Sequence, residues 1–296
     1  MIVAIQTFLN QLTKTILTLI RIILLSKIPQ KLSVDKKSRE CVLLGNGPSL
    51  AQSLKEHPEF IDRRSLFCVN FFAISQLYER LKPSIYVIAA PEIGMKKVRN
   101  SLLEKYADLF VTISQKTEWP LWLYLPFSLR RSTFFKNNIR ETLSRNQNIK
   151  VRFFNNTPVE GFWRFCSFFF RLNLGMPRPH NVFIPSIFLA INLSFPKIYL
   201  LGADHSWLKE IYVDETNNVM IRQKHFYDAD HSTPRPMLKK GKDKRRLHEV
   251  LIKFVYAFEG YFILEKYARS RKVKIINATP GSYIDAFERY REGSVT

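Results

Sequence analysis

The sequence predicts an α/β fold, a doubly wound and mostly parallel sheet, on three observations. Short apolar runs rich in β-branched and aromatic residues alternate with stretches of helical period. One of these runs leads through a glycine turn into a helix start, Cys41-Val-Leu-Leu-Gly-Asn-Gly-Pro-Ser-Leu50. The chain of 296 residues, 46% hydrophobic and 14% aromatic, can bury the core such a sheet needs.

Residues 1–30 read as a separate amphipathic helix. Ile5, Phe8, Leu9, Leu12, Ile16, Leu19, Ile20 and Ile23 recur at three- and four-residue steps, with Thr7, Asn10, Gln11, Lys14, Thr18 and Arg21 on the other face. These polar residues make it a poor span, and it lacks the charged start and cleavage site of a signal peptide. Lying in the interface plane of an anionic membrane suits it, with Lys14, Arg21, Lys27 and Lys31 near headgroups at roughly 1 kcal/mol each. Packing on the protein's own core is the alternative. Pro29 stops the helix, and 31–40 reads as a linker, polar from Ser33 to Glu40.

Residues 41–296 then form one domain. Strands are expected at Cys41 to Leu44, Ser65 to Asn70, Ser84 to Ala89, Leu109 to Ile113, Lys197 to Leu201 and Val273 to Ile276. Helices are expected at Leu50 to Lys55, Ile74 to Leu81, Ile184 to Leu193 and His248 to Arg271. The aromatic, Arg-rich stretch 121–176 and the irregular stretch 211–246 read as insertions or lids shaping an acceptor pocket. The second ends in a basic run, Lys239, Lys240, Lys242, Lys244, Arg245 and Arg246.

Lys and Arg total 46 against 25 Asp and Glu, a formal charge of +21 that attracts phosphate-rich partners: nucleic acid, anionic lipid or sugar phosphates. No helix-turn-helix, RRM or zinc pattern supports nucleic acid. Cys41, Cys68 and Cys166 are odd in number and without metal-ligand spacing. They indicate neither a disulfide framework nor a zinc site, and the first two read as core.

The chemistry starts at the turn. Gly45 and Gly47 permit a tight turn and close backbone approach, Pro48 and Ser49 suit a first helical turn, and free N–H groups there suit a phosphate or nucleotide. The Lys of a Walker loop is missing, which argues against P-loop ATP hydrolysis.

The order of motifs resembles a known superfamily. The Gly-Asn-Gly-Pro-Ser-Leu turn, the strand ends at Asn70 and at Ala90-Pro91, and Ile184 to Asp204 as helix, strand and Gly-x-Asp are similar to two groups. One comprises the CMP-sialic-acid-dependent bacterial sialyltransferases. The other is the motility-associated glycosyltransferase family, which includes hydroxymethylpterin pyrophosphokinase-like proteins. The resemblance covers about 41–110 and 180–290. It implies a Rossmann-like, GT-A-like domain with Gly45, Asn46, Gly47, Pro48 and Ser49 around the donor's ribose and phosphates, and Asn70 and Pro91 at the following strand ends. Ala90 and Asn181-Val182-Phe183 depart from the sialyltransferase pattern at positions that touch the cytidine nucleotide. His180 and Asn181 still offer polar groups at a helix start, Glu92 a carboxylate, and Gly202 and Asp204 a further ligand-facing turn.

An inverting transfer needs a base for the acceptor hydroxyl, and histidine is suited near neutral pH. The candidates are His248, which opens a helix close to where the sialyltransferase base falls, then His225 in Lys224-His-Phe-Tyr227, and His205 after Gly202-Ala-Asp204. Asp228-Ala-Asp230 has the spacing of a metal-binding pair, but it follows no clear strand, and a one-phosphate CMP donor needs no metal. Mg or Mn enters only with a nucleoside diphosphate sugar. Asn277-Ala-Thr279-Pro-Gly281-Ser282 reads as another ligand-facing turn.

The expectation is a glycosyltransferase on the cytoplasmic face of the inner membrane, moving a sugar, an acidic one from CMP favoured, to a cell-envelope glycan or lipid-linked acceptor. A pterin-type diphosphokinase using ATP and Mg, and a noncatalytic basic membrane-bound scaffold, are the alternatives.

Overall fold

A computed structural model of the chain describes residues 2–89, 100–222, 225–227, 233–239 and 243–291. Its elements begin with α1 (Ile2–Leu25), β1 (Glu40–Leu44), α2 (Leu50–Glu56), β2 (Ser65–Val69), α3 (Leu77–Leu81), β3 (Ile85–Val87), α4 (Asn100–Lys116), β4 (Leu121–Pro126) and α5 (Phe127–Arg130). There follow α6 (Arg140–Ser144), β5 (Ile149–Phe154), α7 (Trp163–Arg171), α8 (Phe183–Asn192), β6 (Lys197–Leu201), β7 (Ile211–Val213), β8 (Val219–Ile221) and β9 (Arg235–Pro236). The last are β10 (Leu238–Lys239), β11 (Asp243–Lys244), α9 (Leu247–Ser270), β12 (Lys274–Asn277) and β13 (Glu288–Arg289).

Eight strands form one parallel sheet in the order β13-β12-β6-β1-β2-β3-β4-β5. After their first residues, Glu40, Ser65 and Lys197, the central strands β1, β2 and β6 are apolar because both sheet faces are covered. Alternate residues serve opposite layers: Cys41, Leu43, Phe67 and Val69 face the core under α7, α8 and α9, while Val42, Leu44, Leu66 and Cys68 face the core under α2 and α4. The fold is therefore α/β, Rossmann-like and doubly wound. From β1 the chain winds through β2 to β5 on one side, then returns so that β6 pairs with the opposite edge of β1. The sheet's direction of winding reverses between β1 and β6.

Three expectations are corrected. Leu109 to Ile113 is not a strand but lies within α4, where Tyr106, Leu109, Phe110 and Ile113 form a buried stripe at helical spacing. The stretch 121–176 is not merely an insertion, since β4 and β5 complete one side of the sheet. Between Ile74 and Leu81 only α3 is α-helical, and Lys82, in the left-handed region at φ +47°, ends it.

Residues 31–40 are tied to the sheet. The Ser33 carbonyl accepts the Tyr124 hydroxyl at 2.5 Å, Asp35 accepts Trp122 Nε1–H at 3.2 Å, and the Lys37 N–H donates to Ser65 Oγ at 3.1 Å. In 211–246, β7, β8 and β9 form a small antiparallel sheet and β10 pairs with β11, apart from the main sheet.

The N-terminal helix is long and apolar enough to cross a membrane by length and composition. It docks the opposite way round from a core helix. The positions packed on the body are Gln11, Thr15, Thr18 and Ile22, and Leu9, Ile16 and Ile23 are exposed at 54%, 53% and 73%.

Candidate functional site

Ligands of open α/β sheets bind at the carboxyl ends of strands, where the winding reverses. Here that point joins the turn after β1 to the turn after β6. The Gly45 N–H donates to the Leu201 carbonyl at 2.7 Å, and the Gly47 N–H to the Gly202 carbonyl at 2.9 Å. A Cβ on Gly45 would lie 2.3 Å from the Gly202 oxygen, and one on Gly47 would lie 1.8 Å from Asp204 Oδ2. The glycines are needed for contact between two turns of the protein itself.

The N–H groups expected to await a phosphate are partly used. Asp204 accepts the Ser49 N–H at 3.2 Å and the Ser49 hydroxyl at 2.9 Å. Burial raises its carboxyl above the ordinary carboxylate range, the Ser49 bonds pulling the other way. A carboxylate at this turn would repel a phosphate placed on the same groups, which leaves the surrounding side chains as the other polar groups here.

Those side chains line a cavity of about 490 Å³, a size suited to a nucleotide. Asn46, Gly47, Pro48, Asn70, His180, Asn181, Gly202, Asp204, His205 and His225 all border it. Gly45 and Ser49 stand behind the wall as supports. Two of the lining asparagines keep a buried amide oxygen without a hydrogen bond, Asn46 Oδ1 and Asn70 Oδ1.

The other bonds of these amides fix their orientation. Asn46 Nδ2 donates to the Val69 carbonyl at 3.3 Å. Asn181 Oδ1 caps α8, accepting the Phe183 and Ile184 N–H groups at 2.9 and 3.3 Å, while its amide also interacts with the Tyr261 hydroxyl. Asn70 sits in the left-handed region at φ +46°, and its carbonyl accepts the Tyr86 hydroxyl.

The three candidate bases are placed differently. His205 is buried at φ +52°, its Nε2 bonded to the Tyr261 hydroxyl, with its ring between Phe183, Trp207 and Phe258. Burial lowers its pKa to about 3, so it is neutral at physiological pH. His225 also lines the cavity, stacked on Tyr227 at 5.1 Å, and the neighbouring Phe226 N–H donates to the Asn46 carbonyl at 3.1 Å. His248 lies exposed on the first turn of α9 and is not among the lining residues. His180 stacks on Tyr256, and burial, then the charge of Arg178, lowers its pKa.

Pro91, Glu92, Asp228 and Asp230 lie outside the described residues. The 277–282 turn supports the site from behind: Thr279 Oγ1 accepts the Ala203 N–H at 3.0 Å, and Ser282 Oγ donates to the Ala203 carbonyl at 2.7 Å. Sequence reasoning missed Trp207, Glu210 and Phe183 as lining residues. The run from Gly202 to Trp207, directly after a strand, carried the signal for the first.

No protein-family profile and no curated protein matches the chain. Among solved structures it is similar to the MAf glycosyltransferase from Magnetospirillum magneticum AMB-1, with a TM-score of 0.49 and 11% identity. The match covers 98% of this chain, which spans 39% of that protein's length. A second likeness is to a candidate sugar phosphate isomerase/epimerase from Anabaena variabilis ATCC 29413, with a TM-score of 0.17, 8% identity, and coverage of 80% of this chain and 53% of the other.

Proposed function

We propose that the protein is an inverting glycosyltransferase that holds a nucleotide-activated sugar in the β1/β6 cavity and passes the sugar to a hydroxyl of a cell-envelope or lipid-linked acceptor at the cytoplasmic face of the membrane. The observation that carries this reading is one cavity lined by three asparagines, Asn46, Asn70 and Asn181, of which Asn46 and Asn70 each keep a buried amide oxygen without a hydrogen bond. Each such atom costs free energy until a ligand answers it, about 1–3 kcal/mol. These two acceptors, on Asn46 and Asn70, suit sugar hydroxyls. Trp207 offers an aromatic face.

The charge of the wall favours a donor with one phosphate. Asp204 and Glu210 line the cavity, and no lysine or arginine does so among the described residues. A nucleoside diphosphate sugar, or the ATP of a pterin-type diphosphokinase, would bring more negative charge against these carboxylates. A CMP-linked sugar brings less, and its single-phosphate leaving group needs no bound metal.

In the proposed step the acceptor oxygen bonds the anomeric carbon as the bond from that carbon to the phosphate oxygen breaks, and the nucleotide leaves with the electron pair. His225 takes the acceptor's proton. A base is most effective with a pKa near working pH. That criterion sets aside His205, at about 3, and His248 lies off the cavity wall.

Thermal shift with CMP, UMP, UDP and ATP tests the reading, because a ligand that binds only the native state raises its apparent stability. CMP is expected to raise the melting temperature most, and Asn46→Ala is expected to weaken its binding roughly tenfold, the worth of one hydrogen bond. Equal CMP affinity in Asn46→Ala and Asn181→Ala variants would remove the cavity as the nucleotide site.

A further inference from the structure

The helix α1 divides its surface three ways. Gln11, Thr15, Thr18 and Ile22 recur at helical spacing on the side that meets the body, where Thr18 is 0% and Ile22 7% exposed. Roughly 120° around, at 100° per residue, an exposed apolar stripe runs through Leu9, Leu12, Ile16, Ile20 and Ile23. Thr7, Asn10, Lys14 and Arg21 make a third, polar edge. A helix serving only a water-soluble core would turn the apolar stripe inward.

An aromatic contact near its start and polar bonds from Thr15 onward hold α1 to the body. Phe8 meets Phe162 with ring centroids 5.4 Å apart. Thr15 Oγ1 accepts the Phe162 N–H at 3.1 Å, and Thr18 Oγ1 both donates to the Glu160 carbonyl at 2.8 Å and accepts the Glu160 N–H at 3.0 Å. Arg21 pairs with the Glu160 carboxylate at 2.8 Å, and Ser26 Oγ donates to Thr157 Oγ1 at 2.9 Å.

From Phe8 to the helix end at Leu25 these contacts accompany about 26 Å of helix, against a hydrocarbon layer of about 30 Å. If α1 crossed a bilayer, the attached body and the ion pairs of Glu160 with Arg21 and Arg178 would enter the hydrocarbon, at a cost of several kcal/mol for each charge. In the plane of one leaflet the same contacts stay outside it. We infer that α1 is an in-plane membrane helix, clamped to the body by Thr15, Thr18 and Arg21, with its Leu9–Ile16–Ile23 stripe immersed in the acyl region of an anionic leaflet. Lys14 on the polar edge and the net charge of +21 match the sign of that surface.

The test uses the full chain with vesicles of equal parts phosphatidylglycerol and phosphatidylcholine. Cys41, Cys68 and Cys166 are buried, so a single introduced cysteine can be labelled with an environment-sensitive fluorophore. Leu9→Cys, Ile16→Cys and Ile23→Cys are expected to show blue-shifted emission, quenched equally by lipids spin-labelled at one shallow depth. Asn10→Cys and Lys14→Cys are expected to stay open to a water-soluble quencher added outside. Quenching depth that changes progressively from residue 9 to residue 23 would make α1 a span and overturn the inference. Labels that ignore vesicles, with the chain migrating as a dimer, would assign the stripe to a second copy and overturn it equally. Nucleotide binding by the same variants is read separately, so failure here leaves the donor cavity standing, and the reverse.

Discussion

Replacing Gly47 by alanine probes the contact between the β1 and β6 turns. The added Cβ would lie 1.8 Å from Asp204 Oδ2 and 2.6 Å from the Gly202 oxygen. Asp204 can retreat only by giving up its hydrogen bonds from Ser49 N–H and Oγ, bonds to a charged group worth about 1.5–3 kcal/mol each. The squeeze against Gly202 adds about 1–3 kcal/mol. Even with partial relaxation the loss is expected at about 3–6 kcal/mol, a fall in melting temperature on the order of 10 °C at roughly 2–4 °C per kcal/mol. Thermal and urea unfolding read it directly. In an Asp204→Ala background the clash with the carboxylate is gone and that with the Gly202 oxygen stays, so the cost is expected to drop to about 1–3 kcal/mol, a clear departure from additivity. An equal cost in both backgrounds would refute the contact between Gly47 and Asp204 as the reason for this glycine.

His225→Ala is expected to keep nucleotide affinity while turnover falls by roughly 10²–10⁴, and His248→Ala to stay active. Single-turnover rates on the two variants decide it, and the opposite pattern would move the base to α9. The His205 pKa falls from 6.5 to about 3 on folding, so below 6.5 the unfolded chain takes a proton that the folded one refuses. Stability is therefore expected to fall as pH drops from 6.5 toward 3, and His205→Gln to flatten that part of the urea-midpoint profile. Burial alone would raise the Glu160 carboxyl, but hydrogen bonds and charges from Arg178 and Arg21 overcome it and leave the pKa below 4.5. Its stabilisation is then present above 4.5 and lost as pH falls through the lower folded value. Glu160→Gln should remove this acid-side loss, and an unchanged profile would show that the clamp is not electrostatic.

The sheet's centre was legible because β1, β2 and β6 each run four apolar residues in a row and turn signals follow them. Leu109 to Ile113 was misread because five apolar or β-branched residues fit a strand as well as a helix, and only the longer stripe through Tyr106 decides. The strands β4 and β5 were hidden by the aromatic and Arg-rich sequence around them. At the site, the residues of both turns could be named from the sequence. What the glycines touch could not, since Gly47 meets Asp204 far along the chain. Packing of α1 on the body stood as an alternative in the sequence, but the face that docks did not, since Glu160 holds Arg21 from 139 residues away.

Asn70 and His205 both hold left-handed backbone, a conformation that glycine adopts without steric cost. Both border the same cavity, one with an unanswered amide oxygen and the other bonded through its ring to Tyr261. At these two positions what is best for the backbone and what is best for the cavity oppose each other. A residue without a side chain would relax the chain, and the chain carries a side chain instead. The fold is thus held below the stability its own backbone permits, by of order 1–3 kcal/mol per position. Selection for thermal resistance alone would erode the wall of this cavity first.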